Sequence, residues 1–102
     1  MNHFTNDDGD KAISSQPTWT FKASQPPGDH PFGAYFTTLD EKERGLAARL
    51  RIPREKLAYI FSFSPKGGLQ PLPGGRGQYI FYSPTDYSVP PELQDRHGPT
   101  EL

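Results

Sequence analysis

The chain has 102 residues, of which 32% are hydrophobic, so it is long enough for one domain with a core of modest size. Its net charge of −1 gives no general electrostatic attraction to nucleic acid or to an anionic membrane. It contains no cysteine, which excludes disulfides, thiolate catalysis and cysteine-rich zinc sites.

The composition also narrows the fold class and the compartment. Twelve prolines and ten glycines are too many for a helical bundle and favour a turn-rich domain that contains β-structure. No apolar run approaches the ~20 residues that a bilayer span requires, and the acidic N-terminal segment lacks the apolar stretch of a secretory signal. We therefore expect a cytoplasmic protein or a delivered effector, with no membrane partner.

The first third of the chain predicts short extended segments around one short helix. Residues 2–5 (NHFT) predict a strand, and the acidic stretch 6–10 favours one or two helical turns, because carboxylates stabilise a helix N-terminus. Residues 17–24 (PTWTFKAS) are aromatic and threonine-rich, which predicts an extended segment. Residues 25–33 form a loop, since Pro-Pro-Gly and His-Pro both disfavour helix.

The middle of the chain predicts a strand, a helix and a second strand. Residues 33–39 read as a strand, and Asp40 with Glu43 gives a variant of the capping box. That pattern predicts a helix over residues 41–51, ended by the following Ile-Pro. Residues 57–63 (LAYIFSF) alternate in the manner of a half-buried strand.

The last third predicts one more strand and then loses its periodicity. Residues 64–77 form a Gly/Pro loop and residues 78–83 (QYIFYS) a strand. We predict a single domain over residues 1–90 and a flexible C-terminal tail over residues 91–102. The order of elements favours an α+β fold over a doubly wound parallel sheet.

Several familiar kinds of site are not supported by the sequence. His3, His30 and His97 share no ligand spacing, so we expect no metal site. No Gly-x-Ser-x-Gly nucleophile elbow is present, which leaves a serine hydrolase without support.

Two basic or glycine-rich segments invite a phosphate-binding or nucleic-acid interpretation. Residues 73–78 (PGGRGQ) lead into a strand and lack the Gly-Lys-Ser/Thr of a phosphate loop, so a turn is favoured, although Arg76 could reach a phosphate from it. The basic run 42–56 also contains glutamates, which favours a solvated helix face over a nucleic-acid patch.

Three polar or aromatic residues at strand starts remain as candidates for function: His3, Tyr35 and Gln78. Each has an ordinary alternative. The histidine can be a polar edge residue, the tyrosine a core residue with its hydroxyl at the rim, and the glutamine an exposed residue after a glycine turn.

The segments that carry these residues, in this order, resemble the ADP-ribosyltransferase superfamily. The resemblance is to the diphtheria-toxin and poly(ADP-ribose) polymerase branch with its His-Tyr signature, and to small bacterial toxin-type members with an H-Y-D signature. It is carried by HFTNDDGDKAISS, FGAYFTTLD, LAYIFSF and GQYIFYSP, and spans about residues 3–84. It implies a small, split and twisted, mostly antiparallel β-sheet with two short helices, and NAD⁺ as the substrate.

The resemblance also implies roles for individual residues. Tyr35 would stack on the nicotinamide ring, His3 would hydrogen-bond a ribose hydroxyl, and Gln78 stands where many relatives carry a glutamate. Glutamine has no negative charge to offset the positive charge of an oxocarbenium ion, as a carboxylate does. The loss of this stabilisation would raise the barrier to cleavage by ~2–4 kcal/mol. Asp40 is an alternative candidate for the aspartate of the H-Y-D signature. Its place in an N-cap pattern explains the presence of this aspartate equally well. The further candidates for cofactor binding are Thr5, Ser24 and Gly33.

The function implied by the resemblance is cleavage of the nicotinamide glycosidic bond of NAD⁺, without a metal. ADP-ribose would pass to a macromolecule, a protein rather than a nucleic acid, or to water, in a toxin or effector. A catalytically weak or inactive binding module with the same fold is an alternative, which Gln78 favours. An unrelated aromatic-rich protein-interaction domain is a further alternative.

Overall fold

The computed structural model describes residues 1–26 and 28–102. These residues contain two antiparallel β-sheets and two short α-helices. The helices are α1 (Asp7–Ser14) and α2 (Leu46–Leu50), with 3₁₀ turns at Arg54–Leu57 and Pro91–Leu93. The strands are β1 (Asn2–Thr5), β2 (Trp19–Phe21), β3 (Ala34–Thr37), β4 (Tyr59–Phe63), β5 (Gln70–Pro71), β6 (Ile80–Ser83), β7 (Tyr87–Val89) and β8 (Gln94–Pro99). The predicted α+β class with a mostly antiparallel sheet and two helices is confirmed. Within these residues no helix has the length and apolar character needed to cross a bilayer.

Helix α1 begins immediately after β1 because Asn6 serves as its N-cap. Asn6 is extended, with φ −88° and ψ −177°, and its side-chain oxygen accepts a hydrogen bond of 2.9 Å from the Gly9 amide. This bond satisfies one of the free donors of the first turn. Three aspartates in that turn interact favourably with the helix dipole, as the sequence predicts.

The larger sheet has the strand order β5-β6-β3-β1-β4-β8, and β2 pairs with β7 in a second sheet. In the β1–β4 ladder, His3 lies opposite Phe61 and Phe4 lies opposite Ile60. Since neighbouring residues of a strand point to opposite faces, His3 and Phe4 face different sides of the larger sheet.

Hydrophobic clusters on both faces hold the larger sheet to its neighbours. On the His3 face, Phe21 of β2 is 1% exposed and meets Phe36 edge-on at 5.2 Å and Phe63 in a stacked arrangement at 5.6 Å between ring centroids. Such aromatic pairs add to the free energy of burial. On the opposite face, α2 is anchored by a smaller cluster of Phe4, Leu46, Leu57 and Ile60.

The larger sheet opens between β1 and β3. Strand β1 pairs with β4 at four positions, Asn2 to Thr5, whereas it pairs with β3 only through Asn2 and Thr37. Beyond that pair the two strands diverge, so the middle of the sheet contains a gap next to His3.

The predicted helix over residues 41–51 is correct only in its second half. Asp40 Oδ1 accepts a hydrogen bond of 2.9 Å from the Lys42 amide, and Glu43 donates to the Asp40 carbonyl oxygen at 3.2 Å. Asp40 therefore closes a turn, because its side chain competes for the amides that a helix would use. Gly45, at φ +66°, then precedes α2.

The predicted flexible tail over residues 91–102 is wrong for most of its length. Strand β8 pairs with β4, from Tyr59 opposite Pro99 to Phe63 opposite Gln94. Thr100 is buried and donates its hydroxyl to the Leu57 carbonyl oxygen at 2.5 Å. An edge strand is held by backbone hydrogen bonds, while most side chains of β8 face solvent. Its sequence therefore shows no hydrophobic periodicity. The domain therefore extends past residue 90.

Other strand boundaries differ by a few residues from the predicted ones. β2, β3 and β4 lie within the predicted segments 17–24, 33–39 and 57–63, whereas β5 and β7 were not predicted. β6 begins at Ile80 rather than at Gln78, because Tyr79 and Ile80 both donate to the Arg76 carbonyl oxygen and close a turn.

Gly9→Ala is expected to destabilise the protein although alanine is the better helix former. Helix propensity favours alanine by about 1 kcal/mol, but a Cβ at Gly9 would overlap Thr5 Oγ1, and overpacking typically costs ~1–3 kcal/mol. Urea denaturation should show a net loss in the free energy of unfolding. In a Thr5→Ala background, which removes Oγ1, the substitution should become neutral or stabilising. An equal loss in both backgrounds would contradict this packing.

Candidate functional site

A cavity of about 600 Å³ lies where β1 and β3 diverge, and we call it the β1–β3 cavity. Its volume is within the ~300–1,000 Å³ usual for small-molecule sites. Because the sheet is open here, residues from both of its faces line the cavity, His3 and Phe36 from one face and Phe4 and Tyr35 from the other. Further walls come from the segments before β3 and after α2, from Lys22 after β2, and from residues 72–80 around the start of β6.

His3 sits at the gap with one ring nitrogen already committed. The imidazole is partly buried between Phe21 and Phe36, with ring centroids 4.8 and 5.6 Å away. Its Nδ1 lies 2.9 Å from the Tyr35 carbonyl oxygen, and since a carbonyl only accepts, Nδ1 carries the proton. Burial lowers the pKa of His3, an effect only partly opposed by that hydrogen bond. The imidazole is therefore neutral near pH 7, with the Nε2 lone pair unused by this bond.

Tyr35 is held by contacts at both ends of its side chain. Its ring stacks on Tyr82 of β6 at a centroid distance of 5.7 Å and an interplanar angle of 20°. Its hydroxyl donates to the Pro31 carbonyl oxygen at 2.5 Å, which ties the loop before β3 to the strand. Burial, with a smaller contribution from Tyr82, raises the pKa of the Tyr35 phenol, so it remains a neutral donor.

Ser24 and Gly33 close the loop that forms one wall of the cavity. Their backbones exchange two hydrogen bonds of 2.9 Å, and both residues line the cavity. A Cβ at Gly33 would stand 2.5 Å from the Ser83 carbonyl oxygen. Gly33 is therefore required for the close approach of this loop to β6.

The other predicted site residues are not brought to the cavity. Thr5 lies against Gly9 of α1 and is not among the lining residues. Gln78 is exposed in the turn before β6 and is also absent from the lining. Asp40 is exposed and caps its own turn. The structure thus unites His3, Ser24, Gly33 and Tyr35 and leaves the predicted catalytic glutamine outside.

Sequence reasoning missed the charge of the cavity. Lys22, Arg51 and Lys56 line it together with Arg76, whereas no aspartate or glutamate occurs among the described lining residues. The signal was present in the basic run 42–56, but the glutamates of that run favoured a neutral interpretation. Within the part of the chain that the structure describes, no group of three His, Asp or Glu residues is placed to hold a metal ion.

The groups that line the β1–β3 cavity indicate which kind of ligand it could bind. No protein-family model, curated protein or solved structure matches the chain. The cavity offers a neutral imidazole, a fixed phenol ring and an excess of positive charge. These groups suit an organic ligand that carries hydroxyls, an aromatic ring and anionic groups.

The stability of the protein is expected to fall as the pH decreases through the titration range of His3. Burial lowers the pKa of folded His3 below the value of about 6.5 in an unfolded chain, so the unfolded state binds a proton more readily. The free energy of unfolding should therefore rise with pH between the folded pKa and about 6.5, and then level off.

Urea unfolding between about pH 5 and pH 8, above the range in which carboxylates usually titrate, tests this expectation. His3→Gln removes the titrating group and should give a shallower dependence on pH, whatever its absolute stability. Identical slopes for the variant and the wild-type protein would show that His3 is not kept neutral by folding.

Proposed function

We propose that the protein is an ADP-ribosyltransferase-like domain that binds NAD⁺ in the β1–β3 cavity and cleaves the nicotinamide glycosidic bond. ADP-ribose then passes to a macromolecule, with a protein favoured, or to water. The observation that carries the proposal is the opening of the sheet between β1 and β3, because it exposes His3 and Tyr35 to one cavity. The split sheet expected from the resemblance belongs to the same proposal.

His3 binds a ribose hydroxyl of NAD⁺ in this proposal. Its Nδ1–H is committed to the Tyr35 carbonyl oxygen, so Nε2 of the neutral ring accepts a hydrogen bond from the hydroxyl. Phe21 and Phe36 pack against the ring and fix its direction. A ligand hydrogen bond to a preset acceptor costs less conformational entropy than one to a mobile side chain.

Tyr35 supplies the aromatic surface for nicotinamide. The oxidised nicotinamide ring is cationic, and a cationic aromatic ring is attracted to the electron-rich face of a phenol. Tyr82 stacks on Tyr35, and the Tyr35 hydroxyl donates a hydrogen bond to the Pro31 carbonyl oxygen. These contacts support the ring in one orientation, so that its position need not be fixed at the moment of binding.

Cleavage of the glycosidic bond requires stabilisation of positive charge on the ribose. Nicotinamide leaves from NAD⁺ as a neutral molecule, and the ribose becomes oxocarbenium-like, as in glycoside hydrolysis. A nearby carboxylate would stabilise that charge, yet none occurs among the described lining residues. Gln78 is exposed, so we expect cleavage to be slow and to need a movement of its turn.

A second candidate function is binding of NAD⁺ without cleavage. The same observation on Gln78 favours it, together with the absence of acidic side chains from the described cavity lining. Binding uses His3 and Tyr35 in both functions, and the two differ only in the release of nicotinamide.

NAD⁺ should stabilise the protein against thermal unfolding, and the protein should release nicotinamide over hours. A ligand that binds only the folded state raises the free energy of unfolding by RT ln(1 + [L]/Kd). Tyr35→Ala should weaken the affinity for NAD⁺ and slow nicotinamide release about tenfold or more each, and so give a smaller thermal shift, because an aromatic surface at the site is lost. Thermal shift and chromatographic detection of nicotinamide are the measurements.

Phe32→Ala is the matched control for Tyr35→Ala. Phe32 is an aromatic residue of the same loop region, is 52% exposed and does not line the cavity, so its removal should leave both effects unchanged. A thermal shift without nicotinamide would favour the binding module. An absent shift, or nicotinamide release by Tyr35→Ala at the wild-type rate, would refute the assignment of the site.

Gln78→Glu should accelerate nicotinamide release if the turn before β6 closes over bound NAD⁺. The substitution is nearly isosteric and supplies the missing carboxylate, and a well-placed charge of this kind is worth ~2–4 kcal/mol at the barrier. We expect an increase of at least about tenfold in kcat. A rate equal to that of the wild-type protein would show that residue 78 stays outside the reacting complex.

A further inference from the structure

Three of the four basic side chains in the described lining of the β1–β3 cavity have no acidic partner among the described residues. Lys22 lies 3.5 Å from Asp86. No carboxylate oxygen within the described ranges lies within 4.0 Å of the charged nitrogens of Arg51, Lys56 or Arg76. We call these three residues the basic wall.

Two of the three glutamates in and beside the basic run 42–56 pair with arginines outside the basic wall. Glu41 accepts two hydrogen bonds from Arg96, at 2.7 and 2.9 Å, and the guanidinium lowers the pKa of Glu41. Glu43 accepts one from Arg49 at 3.0 Å. Glu55, the third of these glutamates, is outside the described cavity lining and lies within 4.0 Å of no charged nitrogen among the described residues. The lining therefore keeps its excess of positive charge.

Arg51 occupies a backbone conformation that glycine would adopt more easily. It follows the last residue of α2 with φ +56° and ψ +44°, the left-handed region that disfavours side chains with a Cβ. Glycine is the usual residue at this position after a helix. A side chain kept at a strained position beside a cavity indicates a functional role.

Arg76 connects the basic wall to the turn that carries Gln78. Its Nη2 donates to the Arg49 carbonyl oxygen at 2.5 Å, which tethers the turn to α2. Its own carbonyl oxygen accepts from the Tyr79 and Ile80 amides at 3.2 and 3.0 Å, which closes the turn around Gln78. A change at the Arg76 guanidinium therefore acts directly on the turn.

We propose that the basic wall is a subsite for the phosphate groups of a nucleotide and that Arg76 couples its occupancy to the position of Gln78. A phosphate accepts stronger, charge-assisted hydrogen bonds than a carbonyl, so a bound phosphate draws the Arg76 guanidinium away from the Arg49 carbonyl oxygen. The turn then loses its strongest hydrogen bond to α2 and keeps a longer one, from the Tyr79 hydroxyl to the Arg49 carbonyl oxygen at 3.4 Å. This loosens the turn, so that Gln78 can approach the cavity. The inference depends on the proposed function only for the identity of the nucleotide as NAD⁺.

Calorimetric titration with ADP-ribose tests the subsite. Lys56→Gln and Arg51→Gly should each weaken its binding about tenfold, the usual effect of losing one charged hydrogen bond, and binding by the wild-type protein should weaken as salt is added. Arg51→Gly should do so without lowering Tm, since it also relieves the left-handed backbone. Lys42→Gln and Arg44→Gln, which are exposed and outside the lining, are the matched controls.

The outcomes separate the subsite from the proposed function. No binding of ADP-ribose, or equal binding by wild-type protein and basic-wall variants, would overturn the subsite even if nicotinamide is released from NAD⁺. Binding of ADP-ribose that depends on Arg51 and Lys56, without binding or cleavage of NAD⁺, would support the subsite and refute the proposed function.

A fluorescent label at residue 78 tests the coupling. The chain has no cysteine, so Gln78→Cys creates a single site for an environment-sensitive dye. ADP-ribose should shift the emission of this protein but not that of a Lys66→Cys control, whose exposed residue lies outside the cavity lining. In an Arg76→Gln background the shift should be absent. The same shift in that background, or no shift at saturating ADP-ribose, would overturn the coupling.

Discussion

The hydrogen bond from His3 Nδ1–H to the Tyr35 carbonyl oxygen joins two strands at a point where their ladder has ended. β1 and β3 pair only through Asn2 and Thr37, and a buried carbonyl left without a donor would cost ~1–3 kcal/mol. The imidazole supplies that donor at 2.9 Å. The bond therefore satisfies a carbonyl group at the opening of the larger sheet, next to the β1–β3 cavity.

The same histidine belongs to the aromatic core and to the candidate site. Phe21 and Phe36 pack on its ring, and the burial that they cause lowers its pKa. The neutral state needed to accept a ligand hydroxyl is thus a consequence of core packing. Unlike His3, the basic wall is not part of the core. Its Arg51 is exposed and has a left-handed backbone conformation, so it contributes charge rather than packing.

The electrostatics of the cavity favour an anionic ligand more than they favour glycosidic cleavage. A lining with basic residues and, among the described residues, no acidic ones attracts phosphates. The same lining offers nothing to offset positive charge on a ribose. In the proposed function both requirements are met only if a group enters after binding, and the turn between Arg76 and Ile80 is the segment that we propose for this role.

The sequence alone determined the elements whose signals are local. Alternation predicted the strand that became β4, and an acidic N-cap stretch predicted α1. The functional roles of His3 and Tyr35 stay a prediction. The helix start at Asp40, the flexible tail after residue 90 and the start of β6 at Gln78 were predicted wrongly. Asp40 caps a local turn instead, and the tail is ordered by edge pairing with a strand far along the chain. The charge of the cavity was likewise decided only by the tertiary structure. Glu41 and Glu43 are close to the basic residues in sequence but pair with arginines outside the basic wall, because electrostatic attraction depends on distance through space rather than along the chain.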